Sequence, residues 1–127
     1  MSIYVTVGAL DADKSNSFYD QALATIGWSK HIEFPGWRAY SEGGTGKGTV
    51  LWVCQPFNGA PASAGNGSMV GFMVKSRAEV DAFYQAAIAH GGADEGAPGA
   101  RPHYGPDWYA AYMRDPSGNK ISVVYNG

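Results

Sequence analysis

The sequence predicts an α+β fold built from two tandem β-α-β-β-β modules in one domain. Three observations predict it. The chain repeats itself: at an offset of 65, Val5 falls on Val70, Val7 on Phe72, Phe18 on Phe83, Tyr19 on Tyr84 and Gly27 on Gly92, and at an offset of 70, Gly48 falls on Gly118, Leu51 on Ile121 and Val53 on Val123. Several short segments alternate apolar and polar residues with period two, the mark of strands with two different faces. Two longer segments carry apolar residues at helical spacing.

Taken in order, "SIYVTVG" places Ile3, Val5 and Val7 on one face of a strand and Tyr4 and Thr6 on the other. A first helix starts after Asp11, an N-cap whose carboxylate can accept a free backbone N–H. Its buried stripe is Phe18, Tyr19, Ala22, Leu23 and Ile26, and Gly27 ends it. Strands follow at 28–34, 37–42 and 49–55. "SMVGFMV" opens the second module, with Val70, Phe72 and Val74 opposite Met69, Gly71 and Met73. Ser76 and Glu79 form a capping box for a second helix, with Val80, Phe83, Tyr84, Ala87 and Ile88 buried and Gly91-Gly92 as its stop. Strands are predicted at 108–114 and 120–125, with a weaker one near 93–104. Asp115-Pro116-Ser117-Gly118 is the turn of a hairpin: the carboxylate bonds the backbone, Pro presets φ and Gly accepts a positive φ. The modules then span about 1–57 and 68–127, joined by a Pro/Gly/Ala-rich linker at about 58–67 that crosses the surface toward a pocket mouth.

Composition narrows the function. The 127 residues are 45% hydrophobic and 16% charged, a globular balance that suffices for one core. Net charge is -2 with no basic run, which argues against a nucleic-acid surface. No apolar stretch reaches bilayer length and the N-terminus lacks the pattern of a secretory signal, so no membrane partner is expected. The single Cys54 excludes an internal disulfide and fits a reducing, cytoplasmic setting. Four Trp, eight Tyr and five Phe are enough to line a small-molecule pocket as well as a core.

Four stretches, "SNSFYDQAL", "VDAFYQAAI", "GAPGARPHY" and "DPSGNKI", together resemble the vicinal oxygen chelate superfamily of glyoxalases, bleomycin resistance proteins and extradiol dioxygenases, over nearly the whole chain. The resemblance implies curled mixed sheets forming a cupped cavity with the helices outside. It also implies a homodimer and four inner side chains that bind a divalent metal. Carried onto this chain, those four positions are Tyr4, Trp52, Met69 and Ser122, the last standing where the family has a glutamate. An indole donates only N–H, neutral hydroxyls are poor ligands and a thioether is soft, so no metal or other cofactor is expected there. The expected partner is a small planar or aromatic molecule held by Tyr4, Trp52, Met69, Met73, Arg101, Trp108, Tyr109 and Ser122.

An enzymatic alternative rests on "ARPHYGPDWY". There His103 is a candidate acid/base, Arg101 a carboxylate anchor and Tyr109 a hydrogen-bond donor, on a loop of the kind that often carries sites. The sequence leaves this open against a loop that merely satisfies its own backbone. A relocated metal at His31, Glu33 and His103 is a variant of the same alternative, with His31 and Glu33 sharing a strand face. His90, at the end of the second helix, is expected to be structural. Cys54 is expected to be a small buried hydrophobe, and the glycine-rich 43–48 stretch a hairpin loop and not a phosphate cradle.

Overall fold

Alternation and capping produce the predicted elements almost residue for residue. The computed structural model describes residues 1–127. Module one runs β1 (Tyr4–Gly8), α1 (Ala12–Ala24), β2 (Trp28–Phe34), β3 (Trp37–Glu42) and β4 (Val50–Cys54). Module two runs β5 (Val70–Met73), α2 (Arg77–Ala89), β6 (Ala93–Ala100), β7 (Trp108–Arg114) and β8 (Lys120–Asn126). Each module forms a four-stranded mixed sheet, in the orders β1-β4-β3-β2 and β5-β8-β7-β6. The parallel pairs are β1 with β4 and β5 with β8; the other neighbours are antiparallel. The two sheets share no ladder and do not close into a barrel. No helix is long and apolar enough to cross a membrane.

The caps work nearly as the side chains predict. Asp11 accepts from the Lys14 amide, and Ser76 from the Glu79 amide. The Glu79 carboxylate reaches one residue further back than a capping box requires and accepts from Lys75 N–H. Ile88 falls outside the buried stripe of α2 and is exposed; Val80, Phe83 and Ala87 are buried and Tyr84 packs half-buried against the core. The weak strand is real but broken: β6 carries register shifts at Asp94/Gly96 and Gly96/Gly99. It contains Pro98, which lacks the N–H a central strand needs, and it lies at the sheet edge, where proline is tolerated.

One apolar cluster serves both modules. Phe18, Tyr19 and Leu23 of α1 join Val80 and Phe83 of α2, Leu51 and Val53 of β4, and Ile121 and Val123 of β8, all essentially solvent-free. The repeated Phe-Tyr pair therefore has unequal duties. Phe18 and Phe83 are both fully buried, whereas Tyr19 is buried and Tyr84 only half so.

Tyr19 is buried because its hydroxyl donates to Asp115 Oδ2 at 2.6 Å, across the module boundary. Asp115 sits in the β7–β8 turn and is itself 3% exposed. Its Oδ1 accepts from the amides of Ser117 and Asn119, and its Oδ2 also accepts from the Asn119 side chain. That same Asn119 amide donates to Gly8 O, and Ser117 Oγ accepts from Leu10 N–H. The turn that closes module two is thus also the latch onto module one.

Two buried phenols make stability pH-dependent at the alkaline end. Burial first, then the Asp115 carboxylate, pushes the Tyr19 phenol well above its ordinary range. Burial first, then Asp20, does the same for Tyr40. In the unfolded chain both titrate near pH ~10. Above that pH the unfolded state sheds protons that the folded state keeps. The stabilisation is therefore complete below the unfolded value and is lost as pH rises, by about 1.4 kcal/mol per pH unit for each phenol. Urea midpoints measured between neutral and strongly alkaline pH should fall accordingly, and less steeply in Tyr19→Phe. An identical profile in that variant would contradict the assignment.

Candidate functional site

The face of each sheet turned away from its helix is where a ligand can reach. In module one the register settles which residues occupy it. Val7, Leu51 and Val53 fill the core, so Tyr4, Thr6 and Gly8 of β1 and Trp52 and Cys54 of β4 point the other way. Trp37 pairs with Cys54 across β3–β4, and Phe34 with Trp37 across β2–β3. Together they line a cavity of about 870 Å³. The Trp37 and Trp52 rings lie 6.2 Å apart at 72°, an edge-to-face pair that leaves flat indole surface toward the cavity. Tyr4, Phe34 and Phe57 remain 71%, 56% and 98% exposed.

The end of module one and the linker make the remaining wall: Pro56 and Phe57, then Pro61 and Ala62, lie against this face. They can do so because β1 ends in glycine: a Cβ at Gly8 would stand 2.7 Å from the Ala62 Cβ. Thr6, Gly8 and Ser63 also border a smaller recess of about 200 Å³, whose other side includes Met69, Asn119 and Lys120. The aromatic cavity therefore leads past Thr6 toward the second module.

In module two, Ile121, Val123 and Met113 are buried on the helix side, so Lys120, Ser122 and Val124 of β8 and Trp108, Ala110, Tyr112 and Arg114 of β7 share the opposite face. Ser122 is only 2% exposed, closely covered by Gly71: a Cβ there would stand 2.8 Å from Ser122 Oγ. Trp108 Nε1 donates to the Tyr112 hydroxyl at 3.2 Å. The Arg101 guanidinium lies over the Tyr112 ring, 5.7 Å from its centre.

Several expected groupings are not assembled. Trp52 lines the aromatic cavity, but Met69 and Met73 line a separate apolar groove of about 420 Å³ with Ile3, Val5, Trp28 and Phe72. Met69, Met73 and Trp52 were expected to share one cup; β1 and β5 are unpaired edges of different sheets, and no single cavity takes in all three. Tyr109 lies on the helix side of β7. Its hydroxyl donates to Asp81 at 2.7 Å and Arg77 packs over its ring, so it does not accompany Trp108. That bond with Asp81, more than burial, raises its phenol pKa.

The relocated metal site is also not assembled. A β-bulge between Lys30 and Ile32 breaks the alternation, so His31 and Glu33 do not share a face. The His31 ring packs on the glycine loop, where a Cβ at Gly46 would stand 2.5 Å from it. Glu33 instead bonds Lys30 and Arg38, which hold its carboxyl below the usual range. His103 is exposed on the β6–β7 loop, its ring 4.1 Å from that of Tyr104, with no hydrogen bond to a carboxylate. No group of three His, Cys, Asp or Glu side chains converges anywhere in the chain. His90 is the C-cap residue of α2, and its Nδ1–H donates to Ala86 O. Cys54 is 2% exposed, and burial raises its thiol pKa, so it is held as an unreactive neutral group.

Sequence reasoning passed over Phe34, Tyr112 and Lys120. The signal was present, since Tyr112 is two residues beyond Ala110 and four beyond Trp108 on one strand, and Lys120 precedes Ser122 by two. Phe34 gave no such signal, because the bulge in β2 resets its face.

Among solved structures the chain is similar to a glyoxalase/bleomycin resistance protein from Albidiferax ferrireducens, with 37% identity, a TM-score of 0.86, and coverage of 100% of this chain and 98% of that one. A glyoxalase-related enzyme from Fulvimarina pelagi (23% identity, TM-score 0.78, 99% and 88% covered) shares the fold. So does a lactoylglutathione lyase from Agrobacterium tumefaciens (21%, 0.68, 98% and 92%). No curated protein matches the chain. The family model described as Glyoxalase/Bleomycin resistance protein/Dioxygenase superfamily matches residues 3–123, and with two β-α-β-β-β modules in place the chain belongs to that superfamily.

Proposed function

We propose that this member binds a small planar or aromatic organic molecule in the cavity of its first module, in the manner of a sequestering protein of the bleomycin-resistance type, without a metal at the superfamily position. The observation that carries the proposal is the cavity itself: two indoles in edge-to-face contact, Tyr4 and Phe34 beside them, and a linker as the outer wall. An apolar concavity with flat stacking surfaces and few polar groups selects flat, poorly hydrated ligands.

The donor chemistry supports the metal-free part. A divalent cation wants carboxylate oxygen or imidazole nitrogen, and the four superfamily positions hold Tyr4, Trp52, Met69 and Ser122. Trp52 offers no lone pair in the ring plane, and the Ser122 hydroxyl is enclosed beneath Gly71.

A homodimer is part of the same proposal. Met69, just before β5, and Met73, at its end, stay 49% and 63% exposed along an unpaired sheet edge, and a second copy would cover them. The free Cys54 suits the reducing cytoplasm proposed as its setting.

The test is a titration of intrinsic tryptophan fluorescence with the uncharged, flat probe N-phenylnaphthylamine, on protein purified without chelator. Saturable quenching with one site per chain, and no stoichiometric divalent metal by elemental analysis, is the expected result. Absence of saturable binding, or a tightly held metal at unit stoichiometry, would overturn the proposal.

A further inference from the structure

Of the second module's cations that are in no ion pair, two converge on one aromatic ring. The four ion pairs of the chain use Lys30, Arg38 and Arg114; Arg101 and Lys120 are in none of them. Both lie beside the same ring: the Arg101 guanidinium carbon is 5.7 Å and Lys120 Nζ 5.9 Å from the centre of Tyr112. Both are half-buried, so neither simply extends into bulk water.

The position of Arg101 is prepared by the backbone around it. Its guanidinium donates to Ala97 O at 2.8 Å and, at 3.4 Å, to Ala100 O. Two glycines of β6 make the room. A Cβ at Gly99 would stand 2.9 Å from one terminal nitrogen, and a Cβ at Gly96 3.3 Å from the other. The irregularity of this strand, with its two register shifts, falls at these glycines. The Tyr112 hydroxyl accepts from Trp108 Nε1 and donates to no protein group, so its proton is available. A seated guanidinium, an ammonium and a phenol O–H with an unused proton are thus three donor groups set around one ring with no carboxylate paired to any of them, and an anionic group is the acceptor that suits them.

Lys120 connects this group to the aromatic cavity. It lines the small recess bordered by Thr6, Gly8 and Ser63, and those three also border the cavity of Trp37 and Trp52. We propose that Arg101, Tyr112 and Lys120 form an anion-binding subsite, and that the ligand of this protein is therefore a planar organic acid whose ring system occupies the aromatic cavity and whose carboxylate, sulfonate or phosphate faces the second module. The proposal rests on the cavity reading above and names the ligand class for it.

The experiment compares two probes with closely related ring systems, neutral N-phenylnaphthylamine and anionic anilinonaphthalene sulfonate, by titrating the full chain with each. Charge-assisted hydrogen bonds should make the sulfonate bind about tenfold or more tightly, with a preference that shrinks as salt rises. Lys120→Met and Arg101→Gln should each reduce that preference several-fold and leave the neutral probe's affinity unchanged, and Lys120→Arg should restore it. Retained binding of the neutral probe shows that the variants are folded. Equal affinity for the two probes, or a preference that survives both substitutions, overturns the anion subsite and leaves the aromatic cavity standing. If neither probe binds to the wild type, both readings fall together.

Discussion

Asp115→Ala is expected to lower the stability of the fold by about 4 kcal/mol, and its thermal midpoint by roughly 15 °C. The carboxylate is 3% exposed and accepts four hydrogen bonds, from Tyr19, from the amides of Ser117 and Asn119, and from the Asn119 side chain. Alanine would leave those four donors in a space that water reaches poorly, and each unsatisfied buried donor costs about 1–3 kcal/mol. The values do not add, because the turn relaxes. Asp115→Asn should cost less, since one oxygen remains for the two backbone amides. Tyr19→Phe should cost about 1.5 kcal/mol, the worth of one hydrogen bond to a charged acceptor. Urea unfolding of the two singles and the double would give a coupling energy above about 1 kcal/mol. A loss under 1 kcal/mol for Asp115→Ala, or no coupling to Tyr19, would show that the latch between the modules does not carry this load.

The second large effect concerns binding. Trp52→Ala should weaken N-phenylnaphthylamine binding by tenfold or more, because it removes one of the two indole surfaces and unseats the other. Base or ring stacking on an aromatic side chain is typically worth about 1–3 kcal/mol when tested by alanine substitution. The half-buried position should make the stability loss small beside that of Asp115→Ala. Trp52→Phe should recover much of the affinity, since a flat ring is restored at the same register opposite Ala39. Affinity unchanged in Trp52→Ala, measured on folded protein, would place the ligand elsewhere on the molecule.

These two residues differ in how far the sequence revealed their roles. Asp115 was readable as a turn former, because an Asp-Pro-Ser-Gly run has a local mechanism: a carboxylate over the following amides, a fixed φ, and a glycine at φ 89°. Its bond to Tyr19, 96 positions away, has no local signature. Trp52 was readable as turned away from the helix, because the alternation in β4 holds over five residues without interruption. That Trp37 meets it edge-on, and that the linker closes over both, depends on strand order and on the path of residues 56–63.

The failures have the same cause. Counting in twos puts His31 and Glu33 on one face, but one extra residue in β2 turns them to opposite faces. Met69 and Met73 were assigned correctly to the face opposite Val70 and Phe72, yet they do not meet Trp52, since a face says nothing about which sheet edge it adjoins. Tyr109 was grouped with its loop neighbours, but it is already the second residue of β7 and turns toward α2.

By itself, then, the sequence determined what is set by neighbours along the chain: the repeat, the element boundaries, the caps and the side of each strand whose alternation is unbroken. These follow from spacing and backbone propensity. Only the tertiary structure decided which of those faces come together, where a bulge reverses them, and that Arg101 and Lys120 approach one ring without an acid between them. Such contacts are made between residues far apart in the chain, and local interactions carry no information about them until the sheets and helices have packed.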